Sequence, residues 1–197
     1  MTPDLLAALA AFCFVSSVTP GPNNMMLLAS GVNYGFRRTV PHMLGIGLGF
    51  AAMVVLVGLG LAGVFTAWPP ARTVLLAASV AYMLWLAWRI AHASAPEAGA
   101  AGGRPMTFWQ AAAFQWVNPK AWTMALGAIT LYAPGQDPAT VAVVAAVFVA
   151  VNVPTVAIWA GAGVALAGAL RDPVWRRRFN WTMAAALVAS LWPVLRG

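Results

Sequence analysis

Two short segments concentrate the residue types that could do chemistry in an otherwise apolar chain: Thr19-Pro20-Gly21-Pro22-Asn23-Asn24 and Gln115-Trp116-Val117-Asn118-Pro119-Lys120. A proline inside a helix removes one donor and frees the carbonyl four residues earlier, here those of Ser16, Val18 and Gln115. Thr or Asn followed by Pro also suits a helix start, the first as N-cap and the second at N1. Each segment is therefore expected to end one half-helix and begin another. The start of a half-helix carries partial positive charge, and Lys120 adds a full one beside the second break. The chemistry that fits is capture of a carboxylate. Asn23, Asn24, Asn118, Lys120, Thr19, Gln115 and Thr123 are the candidate lining residues; Pro20, Gly21, Pro22, Pro119 and Pro154 are the candidate breaks or hinges.

Each of these residues also has a plainer reading. An ionisable side chain at the centre of a membrane helix costs roughly 2.5–3.5 kcal/mol on insertion scales, so Lys120 either reaches toward an interface or answers a functional need. Asp4, Glu97, Asp137 and Asp172 all read as loop or terminal residues, which leaves an anionic substrate, Asn side chains or freed carbonyls as its partners. Asn23 and Asn24 suit a helix cap as well as they suit a substrate contact. Asn152 and Pro154 make a third break whose role is hinge, packing or site lining. Gly45-Ile46-Gly47-Leu48-Gly49-Phe50 is no dinucleotide fingerprint, because Phe50 stands at the third glycine and no strand precedes it. Small residues for close helix packing explain it better. The lone Cys13 and the separated His42 and His92 form no metal or disulfide pattern. No nucleophile is paired with His42 by a recognisable motif, which argues against an intramembrane enzyme. No cofactor is implied.

The elements that position these groups follow from hydropathy. The 197 residues are 62% hydrophobic and only 8% charged, against roughly 25% charged in soluble domains. Apolar stretches run over about 5–33, 40–67, 72–91, 106–132, 139–170 and 179–195, each near or above the length that spans a bilayer. The expectation is an all-α integral membrane protein with six transmembrane helices. The net charge of +7 forms no continuous stripe, so nucleic acid is not the expected partner. Arg37, Arg38, Arg89, Arg104, Arg171, Arg176, Arg177 and Arg178 fall on one side of the expected membrane, with only Arg72 and Arg196 on the other. That bias puts the first group in the cytoplasm and both termini outside. The triplet Arg176–Arg178 reads as a topology anchor that touches anionic lipid.

The segment 93–105 reads as a cytoplasmic linker, dividing the chain into three-helix repeats at 1–92 and 106–197. With an odd number of helices each, the halves enter the membrane from opposite sides, the arithmetic of an inverted repeat. Helices 1 and 4 would be the ones broken at prolines. Aligning Pro20 with Pro119 sets Thr19 against Asn118, Met25 against Met124 and Leu27 against Leu126.

At these residues the chain resembles a known family. Pro20-Gly21-Pro22-Asn23-Asn24, then Leu27-Leu28-Ala29-Ser30-Gly31 and Gly35, are similar to the signature of the lysine exporter and homoserine/threonine resistance (LysE/RhtB) superfamily. Gln115 to Ala121 resembles that family's second motif. The resemblance implies secondary transport that exports amino acids or close derivatives from the bacterial inner membrane. Its neutral-substrate branch, including exporters of cysteine and O-acetylserine, looks closest. A proton is the candidate coupling ion, yet no carboxylate lies within an apolar stretch; Lys120, His42 or the substrate's amine would have to carry it. Faces rich in Gly and Ala would permit a homodimer. A passive channel or a structural membrane subunit is the alternative class, separable by whether solute flux saturates or is absent.

Overall fold

The computed structural model describes residues 1–92, 104–170 and 172–192, and every regular element among them is helical. The helices are α1 (Pro3–Val18), α2 (Pro22–Tyr34), α3 (Phe36–Gly58), the short α4 (Val64–Ala67), α5 (Pro70–Ala91), α6 (Phe108–Phe114), α7 (Pro119–Tyr132), α8 (Pro138–Ala167) and α9 (Pro173–Ala189). Most of the expected linker 93–105 lies outside the described residues, as do Arg171 and Arg196.

Proline placement explains many of the boundaries. Pro3, Pro22, Pro119, Pro138 and Pro173 each open a helix, where a missing N–H costs nothing. Thr2, Asn118, Asp137 and Asp172 stand just before four of them and accept first-turn amides. Asp137 accepts both the amide and the hydroxyl of Thr140 at 2.9 Å, and these bonds hold its carboxyl below the usual range. The described acids are thus spent at helix starts, with Asp4 in the first turn of α1.

Among the described residues, three helices, α3, α5 and α8, are long and apolar enough to cross a bilayer, and the bent α1–α2 pair makes a fourth if counted as one span. The expected fourth and sixth spans arrive in shorter pieces: α6, a 3₁₀ turn over Gln115–Val117 and the 14-residue α7, then the 17-residue α9. Large apolar side chains such as Val15, Leu44, Leu131 and Ile158 point outward. A membrane supplies the solvent for such a surface. The protein is an all-helical, multi-pass membrane protein.

α8 is the central post. It packs on α1, α2 and α3, while α3 packs on α6, α7 and α8, and α5 pairs with α9. Phe148 of α8 is fully buried and meets Phe50 of α3 edge-on at 4.9 Å between ring centroids. Gly31 and Gly163 let α2 and α8 touch backbone to backbone: a Cβ on Gly31 would strike the Ala160 carbonyl, and one on Gly163 would strike that of Leu28. Gly45 and Gly49 do the same for α3 against Phe108 and Ala112 of α6, so the glycine-rich segment serves packing. Pro154 departs from the expectation of a third break, since α8 runs without interruption from Pro138 to Ala167. Membrane helices tolerate such prolines where neighbours answer the freed carbonyl.

Candidate functional site

α1 ends at Val18 and α2 begins at Pro22, with a bend of 57° between them. The exposed ends of α1 are answered locally. The Thr19 hydroxyl donates to the Ser16 carbonyl at 3.0 Å. The Asn24 amide donates to the carbonyls of Ser17 at 2.8 Å and Thr19 at 2.9 Å. Asn24 is buried, and this use of its Nδ2 makes it the C-terminal cap of α1. The other end of the break is left open. Gly21 has no side chain to cap α2, so the first amides of α2, at Asn23 and Asn24, lack a side-chain acceptor.

The second break is built differently. α6 gives way to the 3₁₀ turn, then Asn118 caps α7 with its own Oδ1, which accepts the Lys120 amide at 3.2 Å. Lys120 stands on the first turn of α7 and reaches across to the first break. Its Nζ donates to the Thr19 carbonyl at 2.6 Å, to the Thr19 hydroxyl at 2.9 Å and to the Pro20 carbonyl at 3.5 Å. A hydrogen bond to a charged group nets about 1.5–3 kcal/mol. Two short ones are enough to offset an insertion cost of roughly 2.5–3.5 kcal/mol. The negative end of the α1 dipole adds to the attraction. Gly21 is what permits this approach, because a Cβ there would lie 2.7 Å from the Lys120 Cδ.

A second bridge joins the breaks. Asn23 Nδ2 donates to Gln115 Oε1 at 2.9 Å, and Gln115 Nε2 donates back to Asn23 Oδ1 at 3.2 Å. Gln115 is fully buried and its Nε2 also donates to the Ala111 carbonyl at 2.9 Å.

These groups surround a cavity of about 20 Å³ lined by Asn23, Asn24, Gln115, Asn118, Lys120 and Asn152, among others. That volume admits about one water. Larger spaces lie elsewhere: one of about 100 Å³ among α2, α3 and α5, and an open groove of about 610 Å³ beside α5 and α7. Volume alone favours the groove, but its lining offers little that converges. The small cavity is where a charge, two amide pairs and two helix breaks meet.

Of the residues singled out in the sequence, Thr19, Gly21, Asn23, Asn24, Gln115, Asn118 and Lys120 come together here. Thr123 does not: it lines the groove, and its hydroxyl donates back to the Pro119 carbonyl at 3.2 Å. Pro154 lies within α8 and is not among the cavity's lining residues, whereas its neighbour Asn152 is. Asn152 donates to the Ser17 hydroxyl at 3.0 Å and leaves its own Oδ1 unpaired. Ser17 is the member the sequence does not mark out; Asn152, read there as hinge, packing or site lining, does line the cavity. The available signal for Ser17 is the serine pair Ser16-Ser17 just ahead of the first break, at the end of an apolar run.

A helical membrane protein whose polar groups gather at paired helix breaks has the makings of a transport protein. The chain belongs to the LysE type translocator family, which matches residues 14–192. It is 34% identical over 192 residues to the cysteine/O-acetylserine efflux protein of Escherichia coli strain K12 and to the protein of that description from Shigella sonnei strain Ss046; each alignment covers 95% of this chain and 96% of the relative. No solved structure matches. The protein is a translocator, not an enzyme.

Proposed function

We propose that the protein is a secondary exporter of amino acids or close derivatives, of the neutral kind that includes cysteine and O-acetylserine, working by alternating access around the Lys120 cavity. The observation that carries this reading is the bridge from Lys120 Nζ to the Thr19 carbonyl and hydroxyl, at 2.6 and 2.9 Å, between breaks about a hundred residues apart in sequence. A carboxylate arriving here meets the ammonium of Lys120 and the uncapped first turn of α2, an arrangement suited to anions. It competes with the Thr19 oxygens for the ammonium, so substrate binding loosens the tie between the breaks. A cavity with room for one water demands that loosening before an amino acid can enter. The binding step and the opening step are then one event.

Two inverted three-helix repeats supply a frame for such motion. In support, α8 packs on both α1 and α2 while α3 packs on both α6 and α7, so the second helix of each half embraces the broken helix of the other. On this reading α6 to α7 and α9 complete six spans. Both termini lie outside the bacterial inner membrane, and Arg37, Arg38, Arg89 and Arg104 lie in the cytoplasm. A proton is the proposed coupling ion. Impermeant thiol labelling of single-cysteine variants tests the orientation: a cysteine near Asp137 should label from outside and one at Gly102 should not, and the reverse pattern rejects it.

Lys120→Met tests the site. It keeps length and apolar bulk and removes the charge, so saturable export of O-acetyl-L-serine from proteoliposomes should vanish while the protein stays folded. Lys120→Arg should rescue poorly, since a planar guanidinium does not replace a compact ammonium in a tight site. Near wild-type transport by Lys120→Met, with unchanged apparent affinity, would put the carboxylate elsewhere.

A further inference from the structure

The cavity of about 100 Å³ at the far end of α2 has no part in the site above. Ser30, Asn33, Tyr34, His42, Arg89 and Arg104 supply its polar lining. His42 on α3 is 2% exposed and Asn33 on α2 is 9% exposed. Neither His42 ring nitrogen has a hydrogen-bond partner, and Asn33 Oδ1 has none either. The Asn33 amide nitrogen, by contrast, is spent on the Ala29 carbonyl at 2.8 Å, and the Ser30 hydroxyl is paired with that of Thr39 at 2.9 Å. What the cavity's lining residues leave unanswered, just beneath its wall, is therefore a specific set: an amide oxygen, and an imidazole that carries one N–H and one lone pair when neutral. Buried polar atoms in native proteins are nearly always paired, so three orphans around one cavity mark a place that something polar fills. Arg89 and Arg104 border the same space and are exposed, so its rim is cationic.

We infer that this cavity is a second binding site, which takes the ammonium–carboxylate head group of a small amino acid and loads it for export. The carboxylate pairs with the guanidinium groups of Arg89 and Arg104, for which planar bidentate contact is the natural geometry. The ammonium donates to Asn33 Oδ1 and to the lone pair of His42. The side chain points toward the opening, because the inner volume suffices for little beyond the head group. The site rests on the exporter reading, which puts these arginines on the side from which substrate arrives. Its place in the fold is consistent with that role. Asn33 lies eleven residues beyond Pro22 on α2, about 17 Å along the axis, so a single helix joins the loading site to the Lys120 cavity. Waters alone would satisfy the same orphans, and that is the alternative the experiment addresses.

The test is equilibrium binding of radiolabelled O-acetyl-L-serine to the purified full chain, beside export assays in proteoliposomes. Lys120→Met, which removes the central charge, should retain one class of binding. Adding His42→Leu or Asn33→Leu, which keep the bulk roughly and remove the unpaired polar atoms, should abolish that remaining class. Arg89→Gln on the Lys120→Met background changes an exposed side chain that folding tolerates, and should weaken the same binding by about tenfold, the worth of one charge-assisted hydrogen bond. If the wild type exports saturably but Lys120→Met binds nothing, or binds equally well with His42→Leu, Asn33→Leu and Arg89→Gln, the loading site is overturned and the exporter reading stands. A wild type that neither binds nor exports any amino acid overturns the exporter reading first, and the loading site with it.

Discussion

The two helix breaks have similar sequences and opposite constructions. In the first, Thr19 to Gly21, Asn24 answers the carbonyls at the end of α1, while the amides at the start of α2 have no side-chain cap. The second, Gln115 to Asn118, is closed on itself. Asn118 accepts the Lys120 amide with its side chain and the amides of Ala121 and Trp122 with its carbonyl. It then exports its functional groups, the Lys120 ammonium and the Gln115 amide, into the first. One break provides the cradle and the other the tools. Two equally open helix starts facing one site, as symmetry between the halves would suggest, are not what this arrangement offers. Positive charge comes from one helix start and one side chain, and the tie between breaks is made of bonds a substrate can replace.

That comparison breaks most sharply at the amide pair. Gln115→Leu should cost about 1–3 kcal/mol of stability, because it strands the buried half of Asn23 and gives up the bond to Ala111. Asn23→Ala alone should cost less, and a double-mutant cycle should return a coupling of about 0.5–1.5 kcal/mol. Denaturation in detergent measures all three. Strict additivity would mean the breaks are held together by Lys120 alone. A smaller effect is expected at Gly21. Gly21→Ala sets a methyl against the Lys120 Cδ, and the flexible side chain must withdraw from Thr19. The fold should survive with little loss of stability. Export efficiency should fall by about tenfold, or roughly 1.4 kcal/mol. Unchanged export would show that the contact between Lys120 and Thr19 has no part in transport.

The outline of this site was legible because prolines announce backbone problems, and each problem has a short list of solutions. Thr19, Asn118 and Lys120 followed from the two Pro motifs and from the lack of an acid to pair with the lysine. What the motifs do not carry is rotation about the helix axis. Thr123 is three residues from Lys120 and could share its face, but it is Met124 that lines the cavity while Thr123 faces the groove. Pattern spacing gives a period without a phase. Pro154 erred the other way, since a missing donor need not end a helix with neighbours on several sides. Asn23 and Asn152 depend on which long-range partner sits opposite, and one sequence holds no record of that. The helix count was clearer as apolar stretches than as helices, because breaks and short pieces divide what hydropathy averages together.

The smallest expected effect falls on Asn118, and it separates capping from binding. Its side chain is buried, its backbone is extended at φ −93° and ψ 107°, and its Oδ1 accepts the Lys120 amide at 3.2 Å. Replacing such a cap by alanine costs typically about 1 kcal/mol, while serine restores the acceptor almost fully. Asn118→Ala should therefore lose about that much stability, and Asn118→Ser should lose much less. Alanine also frees the Lys120 amide, which turns the second break into a copy of the first with an uncapped start. If Asn118 serves only as a cap, apparent affinity for O-acetyl-L-serine should stay within about threefold of wild type in both variants, well under the tenfold that one charge-assisted contact is worth. Transport kinetics and thermal denaturation on the same preparations decide the matter. A loss of affinity in Asn118→Ser without a loss of stability would move Asn118 from the scaffold into the substrate's contacts.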